Sequence, residues 1–374
     1  MKNSAFFQLE KHLDSLFANA LENGIFSGAA AAIFCREKGV EKRVIKTYGR
    51  TRKDASGEKI TSRTFFDLAS LTKPLCTALS VLNLIENKKL TWSSDLQSPL
   101  LYKNGLNLLP ITIEQLLSHR SGLIDYKPFF RDFEAHYSAK NKKRLIEKIL
   151  REPLAGKPGI KCVYSDLGFI ILGEIIEQLS EKKLDIYFKE NISGLLQLET
   201  KLFFRPLPAK QENNGVDFAA TELCPWRKRL LQGEVHDEHC WLMGGVAGHA
   251  GLFGTIEGVL QLTEHILKQW LDRSKQPVFS NTLLQHALNK KFPGETWCLG
   301  FDRPSPGGSS SGKYLSSRSV GHLGYTGTSF WIDPEKEIIM VLLSNRIHPT
   351  RKNEKIKQFR PLFHDTVIES LQKQ

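Results

Sequence analysis

The stretch FDLASLTKPLCTALSVLNLIENKKL spans residues 66–90 and places a serine and a lysine at the start of an apolar run. Ser70 and Lys73 are three positions apart, so one helical turn brings their side chains onto the same face. Pro74 fits this place, because proline is tolerated in the first turn of a helix and not later. The run from Leu71 to Ile85 predicts a buried central helix. The pair is either a helix cap with a solvated neighbour or a nucleophile with its base.

A serine in the first helical turn lies near unpaired backbone N–H groups, and the positive end of the helix favours negative charge there. Lys73 could take the proton of Ser70 if the lysine is partly neutral, which burial and nearby cations promote. The S-x-x-K pattern also occurs by chance in many chains. Two further segments are needed to choose between the alternatives.

The first of these segments is VYSD, residues 163–166. Tyr164 follows a loop rich in glycine and proline and precedes a helix that Ser165 or Asp166 can cap. A tyrosine held there could relay protons if neighbouring cations lower its pKa. The alternative is a tyrosine that only anchors the loop.

The second segment is GHLGYTGTSFW, residues 321–331. Glycines flank His322 along a strand that suits a sheet edge, and Gly324 and Gly327 would let another molecule approach the backbone. A backbone N–H near Tyr325 could join that of Ser70 in an oxyanion hole. The alternative is that His322 is an exposed strand residue.

The rest of the chain predicts strands at both ends and helices between them. GAAAAIFCRE and EKRVIKTYGRT indicate two strands joined by a turn at Lys38-Gly39, after a first helix with one apolar face. In the middle, Thr112 with Gln115 predicts a capping box and Gly122 a helix stop. Three C-terminal strands precede a final helix over about 353–372. We expect one antiparallel sheet built from both termini, with a helical lobe inserted.

The three motifs occur in the order S-x-x-K, Y-x-D and H-x-G. This order resembles the serine β-lactamase and penicillin-binding-protein superfamily. The segments FDLASLTKPL, LLSHRSGL, YSDLGFIILGEIIE, GGVAGHAGLFGT and GHLGYTGTSFWIDPE are similar to its class C β-lactamase-related branch. That branch includes class C β-lactamases, D-alanyl-D-alanine peptidases and esterases. The resemblance runs from about Ala29 to Asn345.

This resemblance implies an α/β (α+β) fold of the β-lactamase/transpeptidase type, with the active site between a helix-flanked sheet and an all-helical lobe. We expect one catalytic unit over residues 1–374. Its α/β lobe would comprise 1–68 and 250–374, and its helical lobe 69–249.

The resemblance also implies roles for individual residues. Ser70 would be the acylated nucleophile, and Lys73 its general base or proton relay. Tyr164 would assist acylation and activate the deacylating water. The backbone N–H groups of Ser70 and Tyr325 would hold the oxyanion. Whether Lys73 or Tyr164 is the dominant base stays open.

Two departures from the family pattern bear on the substrate. His322 and Gly324 stand where the family has the lysine and glycine of K-T-G, and a neutral histidine binds a penicillin carboxylate less well than lysine does. Asp166 replaces the asparagine of class C β-lactamases, and its carboxylate would disfavour anionic substrates. Arg346, in the basic segment SNRIHPTRKN, is either a contact for an anionic substrate group or part of a surface loop.

We therefore expect a serine hydrolase that cleaves an ester or amide of a small molecule or peptide, without a metal or organic cofactor. By family analogy the substrate would be a peptidoglycan-derived peptide or a small ester. A true β-lactamase is one rival. A catalytically silent binding protein on the same fold is another, although such a relative would usually have lost Ser70, Lys73 or Tyr164.

The 374 residues carry a formal net charge of +12, which permits an anionic partner. No basic run is interleaved with aromatic residues, so no nucleic-acid partner is expected; peripheral contact with an anionic surface stays open. The N-terminus has no signal-peptide core, and the run FSGAAAAIFC is too short to span a bilayer. These features predict a cytoplasmic protein without an integral membrane segment.

The six cysteines form no C-x-x-C pattern and predict buried thiols of a reducing compartment: Cys35, Cys76, Cys162, Cys224, Cys240 and Cys298. His119 is typical of a buried histidine near a helix end. The segment GEVHDEHCW offers His236, Asp237 and His239, but no zinc-like partner set is evident in the sequence. We expect this segment to line the pocket, with His249 in the turn beside it.

Overall fold

A computed structural model describes residues 4–96, 111–208, 217–307 and 309–372. Its α-helices are α1 Ser4–Glu22, α2 Leu79–Glu86, α3 Ile113–Leu117, α4 Ala139–Leu150, α5 Asp166–Ser180, α6 Leu184–Phe188, α7 Glu238–Leu242, α8 Ile256–Trp270, α9 Asn281–Asn289 and α10 Ile356–Gln372. Its strands are β1 Gly28–Glu37, β2 Val40–Gly49, β3 Phe66–Asp67, β4 Leu202–Phe204, β5 Ala220–Cys224, β6 Arg229–Gln232, β7 Leu252–Gly254, β8 Val320–Leu323, β9 Ser329–Asp333 and β10 Ile338–Ser344.

The main sheet has five antiparallel strands in the order β2-β1-β10-β9-β8. Strand β1 lies between its hairpin partner β2 and the C-terminal strand β10, with Ala29 opposite Ser344 and Cys35 opposite Ile338. The prediction of an α/β fold with one sheet assembled from both ends of the chain is confirmed. Strand β8, which carries His322, forms an edge of this sheet, as predicted.

The alternation of side chains along β1 separates two hydrophobic cores. Ala30, Ala32 and Phe34 belong to the larger core, which continues into the helices from the middle of the chain. Ala31 and Ile33 point to the opposite face and belong to the second core. That second core is closed by α1 and α10, so the sheet is buried on both faces. Its helical contributors are Leu9, Leu13, Phe17, Phe359, Phe363 and Val367.

A small sheet in the order β3-β7-β4 fixes the start of the segment that carries Ser70. Phe66 pairs with Gly254, and Asp67 pairs with Phe253. The residues just before Ser70 are therefore hydrogen-bonded to the strand that follows the loop of His249. This pairing joins two parts of the chain that lie far apart in sequence.

The predicted turn between β1 and β2 is confirmed, because Lys38 and Gly39 take left-handed φ angles of 49° and 82°. The capping box of Thr112 and Gln115 is also confirmed. The predicted helix stop at Gly122 is wrong, since α3 already ends at Leu117. A Cβ atom on Gly122 would lie 2.2 Å from the carbonyl oxygen of Gly156, so this glycine permits the close approach of two loops.

All six cysteines are free, as the sequence predicted. Among the residues that the structure describes, no helix combines the length and the apolar character needed to cross a bilayer. The described part of segment 69–249 contains α2 to α7 together with the short strands β4, β5 and β6.

Candidate functional site

Ser70 lies on a tight turn that a buried carboxylate holds in place. After β3, the chain makes a 3₁₀ turn over Ala69–Leu71 and continues as a π-helical turn over Lys73–Ala78 into α2. Asp67 accepts hydrogen bonds from the N–H groups of Ala69 (2.9 Å) and His236 (2.7 Å). Ala69 has a φ of 48°, a left-handed conformation that costs a non-glycine residue about 1–3 kcal/mol. Asp67 therefore stabilises a strained turn that presents Ser70.

The Lys73 ammonium is the centre of the site. Its Nζ donates to Ser70 Oγ at 2.9 Å and to the carbonyl oxygen of His249 at 3.3 Å. The same Nζ lies 2.6 Å from Oδ1 of Asp166 at the start of α5. Lys73 is 0% exposed, whereas Ser70 is half-buried. Two hydrogen bonds and one ion pair, supplied by three separate segments, thus hold the lysine ammonium.

These contacts decide the charge of the cluster. Burial alone would lower the pKa of Lys73, but the Asp166 carboxylate and Tyr164 together raise it to about 12. The expectation that burial and cations make Lys73 partly neutral is therefore wrong for this arrangement. Burial raises the pKa of the Tyr164 phenol, and the charge of Lys73 offsets only part of that rise. At neutral pH the cluster therefore holds a charged lysine and a neutral phenol.

Two neutral imidazoles flank Tyr164, whose ring lies beneath Lys73 Nζ at 4.9 Å. The ring of His119 is 4.6 Å from that of Tyr164, and the ring of His322 is 5.9 Å from it. Burial and the charge of Lys73 lower the pKa of His322 to about 3 and that of His119 well below its usual value. Trp297 packs against all three rings at 4.5–5.3 Å. Trp297 was not singled out from the sequence.

The hydrogen bonds of the two imidazoles assign their tautomers. His322 Nδ1 lies 2.8 Å from the carbonyl oxygen of Leu323, which can only accept, so Nδ1 carries the proton and Nε2 a lone pair. His119 Nδ1 accepts the N–H of Ser165 at 3.0 Å, so its Nε2 carries the proton. Within the described parts of the chain, neither Nε2 atom has a hydrogen-bond partner. A donor and an acceptor thus lie on either side of Tyr164.

The turn at 324–328 brings the backbone of Tyr325 beside the segment before Ser70. Thr326 Oγ1 donates to the carbonyl of Asp67 at 2.7 Å, and Thr328 Oγ1 donates to that of Leu68 at 3.1 Å. A Cβ atom on Gly324 would lie 1.9 Å from Thr328 Oγ1 and 2.7 Å from the oxygen of Leu68. The sequence suggested that Gly324 and Gly327 allow another molecule to approach the backbone. In the structure, Gly324 instead allows close contact with the backbone of Leu68 in the same chain.

Two buried arginines brace this turn. Arg346 donates to the carbonyl of Tyr325 at 2.8 Å and to that of Asn353 at 2.5 Å, and its guanidinium lies over the Tyr325 ring. Arg360, which sequence reasoning missed, donates to the carbonyls of Gly324 and Thr328 at 2.7 and 2.8 Å. Arg346 is 7% exposed, so its side chain is occupied with backbone carbonyls rather than lying on a solvated surface.

The histidine-rich loop is assembled differently from the grouping in the sequence. The Nε2 atom of His236 lies 3.0 Å from Glu222, so His236 does not lie with Asp237 and His239 as the sequence suggested. His249 takes its place, with Nε2 at 2.7 Å from Asp237 Oδ1. No spacing rule signalled this group, because Asp237 and His249 come from two loops that meet only in the folded chain.

Similarity to other proteins agrees with this geometry. The family profile described as Beta-lactamase matches residues 13–362. The chain is 31% identical over 363 residues to an N-acetylmuramyl-L-alanine amidase of Bacillus subtilis (strain 168), covering 88% of this chain and 80% of the relative. It is 30% identical over 323 residues to a Salmonella typhi protein named "Putative D-alanyl-D-alanine carboxypeptidase", covering 80% of this chain and 73% of the relative.

The fold also matches solved structures. An octameric penicillin-binding protein homologue from Pyrococcus abyssi superposes with a TM-score of 0.69 at 20% identity, over 89% of this chain and 72% of that one. At that identity the likeness shows the fold, which is the β-lactamase/transpeptidase-like α/β arrangement. The profile match covers most of the chain and includes all three motifs. The chain therefore belongs to the beta-lactamase family of serine hydrolases.

Proposed function

We propose that this protein hydrolyses an amide bond through an acyl-enzyme on Ser70. The observation that carries the proposal is the contact of Lys73 Nζ with Ser70 Oγ at 2.9 Å, made by a fully buried ammonium. A helix cap with a solvated lysine, the alternative left open by the sequence, would leave Lys73 exposed. Lysine is rarely fully buried unless it is paired, and a buried, paired lysine in contact with a serine hydroxyl is a candidate functional group.

The proton of Ser70 needs an acceptor, and the charged Lys73 is not one by itself. Asp166 Oδ1, 2.6 Å from Nζ, is the nearest base that can take a proton from the lysine. We infer that Lys73 passes a proton to Asp166 as Ser70 Oγ attacks the substrate carbonyl, and that the lysine receives the serine proton in the same step. Tyr164, kept as a neutral phenol, is placed to hand a proton to the leaving amine.

The attack forms a bond from Oγ to the carbonyl carbon and turns the carbonyl oxygen into an oxyanion. The backbone N–H groups of Ser70 and Tyr325 are the proposed donors to that oxygen. Expulsion of the amine leaves an ester on Ser70. Water then attacks this ester and gives one proton to the Tyr164 phenolate. Asp166 returns its proton through Lys73 to Ser70 Oγ, so the carboxylic acid and the free serine are released. Atoms and protons balance without a further reactant.

The substrate class is proposed from the names of the two relatives and from the charges of the pocket. Both names refer to amide bonds that involve alanine in peptidoglycan chemistry. His322 is neutral, and its Nε2 is a hydrogen-bond acceptor that suits an N–H group rather than a carboxylate. A substrate that presents an N–H group to His322 therefore suits the site better than a penicillin carboxylate does, and a β-lactamase is disfavoured. The names of the relatives make a peptidoglycan-derived amide the first candidate. A small ester is the second candidate, because esters share the same acyl chemistry.

The test is intact mass spectrometry after exposure to a fluorophosphonate, followed by rate measurements on defined substrates. We expect one phosphonyl adduct per chain in the wild type and none in Ser70→Ala. We expect turnover of N-acetylmuramyl-L-alanine or of a D-alanyl-D-alanine peptide, reduced at least about 1000-fold by Ser70→Ala. Rapid penicillin turnover would instead favour a β-lactamase, and ester turnover alone an esterase. A wild type without any adduct would sink the catalytic proposal.

The six unpaired thiols support our expectation that the protein acts in a reducing compartment. Peripheral contact with an anionic surface stays a proposal supported by the net charge of +12. It predicts binding to anionic vesicles that weakens with salt and is independent of Ser70.

A further inference from the structure

A second cluster of polar side chains lies behind Lys73. Asp237 is the N-cap residue of α7, His239 is in the first turn of that helix, and His249 lies just before β7. One ligand-type atom from each of these residues lies within 4.8 Å of the other two. The proposed hydrolysis uses none of their side chains.

The hydrogen bonds within the cluster leave two imidazole nitrogens unexplained. Asp237 Oδ1 accepts the N–H of Cys240 at 2.7 Å and lies 2.7 Å from His249 Nε2. His239 Nε2 and His249 Nδ1 are buried, and among the described residues neither has a partner. Both histidines are 1% exposed. Burying an imidazole nitrogen without a hydrogen-bond partner costs free energy. The hydrogen bond between Asp237 and His249 does not satisfy His239, so a ligand bound to His239 would remove this cost.

The set of donors points to a particular class of ligand. Two imidazole nitrogens and one carboxylate oxygen form a borderline set that suits Zn²⁺ better than Mg²⁺ or Ca²⁺, which prefer oxygen. A cation would replace the proton between His249 Nε2 and Asp237 Oδ1. The Asp237 side chain is 25% exposed, so the cluster can be reached from solvent. Nearby Cys240 is occupied, because its Sγ contacts the carbonyl of Ala250 at 3.2 Å.

We infer that Asp237, His239 and His249 form a binding site for Zn²⁺, with three protein ligands and a further coordination position for water. The site adjoins the acylation centre through the backbone of the same loop. The carbonyl of His249 accepts from Lys73 Nζ at 3.3 Å, and that of Gly248 accepts from Thr77 Oγ1 at 2.6 Å. Bound zinc would therefore fix the loop whose backbone contacts Lys73 and Thr77.

The test begins with chelator-stripped full-length protein titrated with Zn²⁺ by calorimetry, with metal content measured after dialysis. We expect one zinc per chain and a melting temperature that rises with zinc concentration. His239→Gln and His249→Gln should each weaken zinc binding more than about 100-fold. This exceeds the loss of about 10–100-fold that is usual when a residue that only orients a metal ligand is changed. His136→Gln changes an exposed histidine outside the cluster and should leave the zinc affinity unchanged.

A second measurement needs no substitution. Co²⁺ added to the stripped wild type should give the strong visible absorption of a four- or five-coordinate ion with nitrogen ligands. Only the weak spectrum of hexa-aqua Co²⁺, or zinc binding that is equal in wild type and His239→Gln, would overturn the site. Ser70→Ala should bind zinc as the wild type does. A failure to detect hydrolysis and a failure to detect zinc binding are therefore separate outcomes.

Discussion

At the scale of single residues, Asp166 determines the electrostatics of the site. Its carboxylate lies 2.6 Å from Lys73 Nζ and is a main cause of the raised pKa of that lysine. From the sequence, Asp166 appeared as a possible helix cap and as a replacement for asparagine that disfavours anionic substrates. In the folded chain it is also the nearest proton acceptor to Lys73 Nζ. An asparagine there could hold Lys73 but could not take its proton.

We therefore predict that Asp166→Asn alters the pH profile of hydrolysis in a defined direction. Without the carboxylate, burial lowers the pKa of Lys73, so its neutral form appears at lower pH. In the wild type the charged Lys73 passes its proton to Asp166, whereas in Asp166→Asn only the neutral lysine can act as the base. In the variant, kcat/KM should therefore rise with pH through the lowered pKa of Lys73, and the maximal rate should fall because the proton acceptor is lost. The measurement is the pH dependence of kcat/KM and kcat on an uncharged amide or ester.

Asp125→Asn is the matched control, since it removes an exposed carboxylate from the same region of the chain. Its profile should coincide with that of the wild type. A pH profile of Asp166→Asn that coincides with that of the wild type would mean that the protonation of Lys73 does not depend on Asp166.

At the scale of elements, the site depends on how the 324–328 turn meets the segment before Ser70. The hydroxyls of Thr326 and Thr328 hold the backbone carbonyls of Asp67 and Leu68, and Gly324 leaves the space for this contact. Two elements far apart in sequence are thereby locked at a fixed separation. The proposed oxyanion donors, one from each element, depend on that separation.

We predict that Gly324→Ala slows acylation while the protein stays folded. The added methyl group would lie 1.9 Å from Thr328 Oγ1 and 2.7 Å from a backbone oxygen, so the turn must move. Overpacking of this kind costs about 1–3 kcal/mol, and a displacement of the oxyanion donors lowers kcat about 10–100-fold with a smaller change in KM. Steady-state kinetics and circular dichroism check both parts.

Gly156→Ala serves as the control, because a Cβ atom at Gly156 meets nothing within 4 Å and its φ is not left-handed. It should leave kcat unchanged. Equal effects of the two substitutions on kcat would show that the 324–328 turn does not position the reacting groups.

At the scale of the whole molecule, the two ends of the chain form one structural unit. Strand β1 pairs with β10, and α1 packs with α10 over the same face of the sheet. Phe17 of α1 is 0% exposed and meets Phe359 and Phe363 of α10 at ring distances of 5.2 and 5.8 Å. This core lies on the face of the sheet opposite the larger core, so it supports the sheet rather than the chemistry.

We predict that Phe17→Ala lowers the free energy of unfolding by about 3–5 kcal/mol, the usual cost of removing a buried aromatic ring. Activity per folded molecule should stay close to that of the wild type. Urea unfolding followed by fluorescence, together with kinetics well below the transition, checks this. Phe7→Ala, on the same helix but 49% exposed, should change stability by less than about 0.5 kcal/mol. A similar loss in both variants would contradict the assigned core.

The elements that were predicted correctly are those whose sequence signals lie within a few residues of one another. Alternation and turn residues indicated the β1–β2 hairpin, and the capping box of Thr112 and Gln115 marked the start of α3. The helix stop assigned to Gly122 failed, because that glycine serves contact between loops and His119 ends the helix with a left-handed φ of 57°. The sequence does not distinguish a glycine that ends a helix from a glycine that allows another backbone segment to approach closely.

Residue types and the order of short motifs along the chain were enough to predict the α/β class and the sheet built from both termini, and the three motifs in order indicated the family. These features depend on residue types and on residues close together in the amino-acid sequence. The folded chain was needed to establish that Asp166 and Tyr164 raise the pKa of Lys73, that Trp297 and His119 pack against Tyr164, and that His249 rather than His236 joins Asp237 and His239. Each of these depends on burial or on contacts between distant segments, because charge, tautomer and ligand geometry are set by what surrounds a side chain in space.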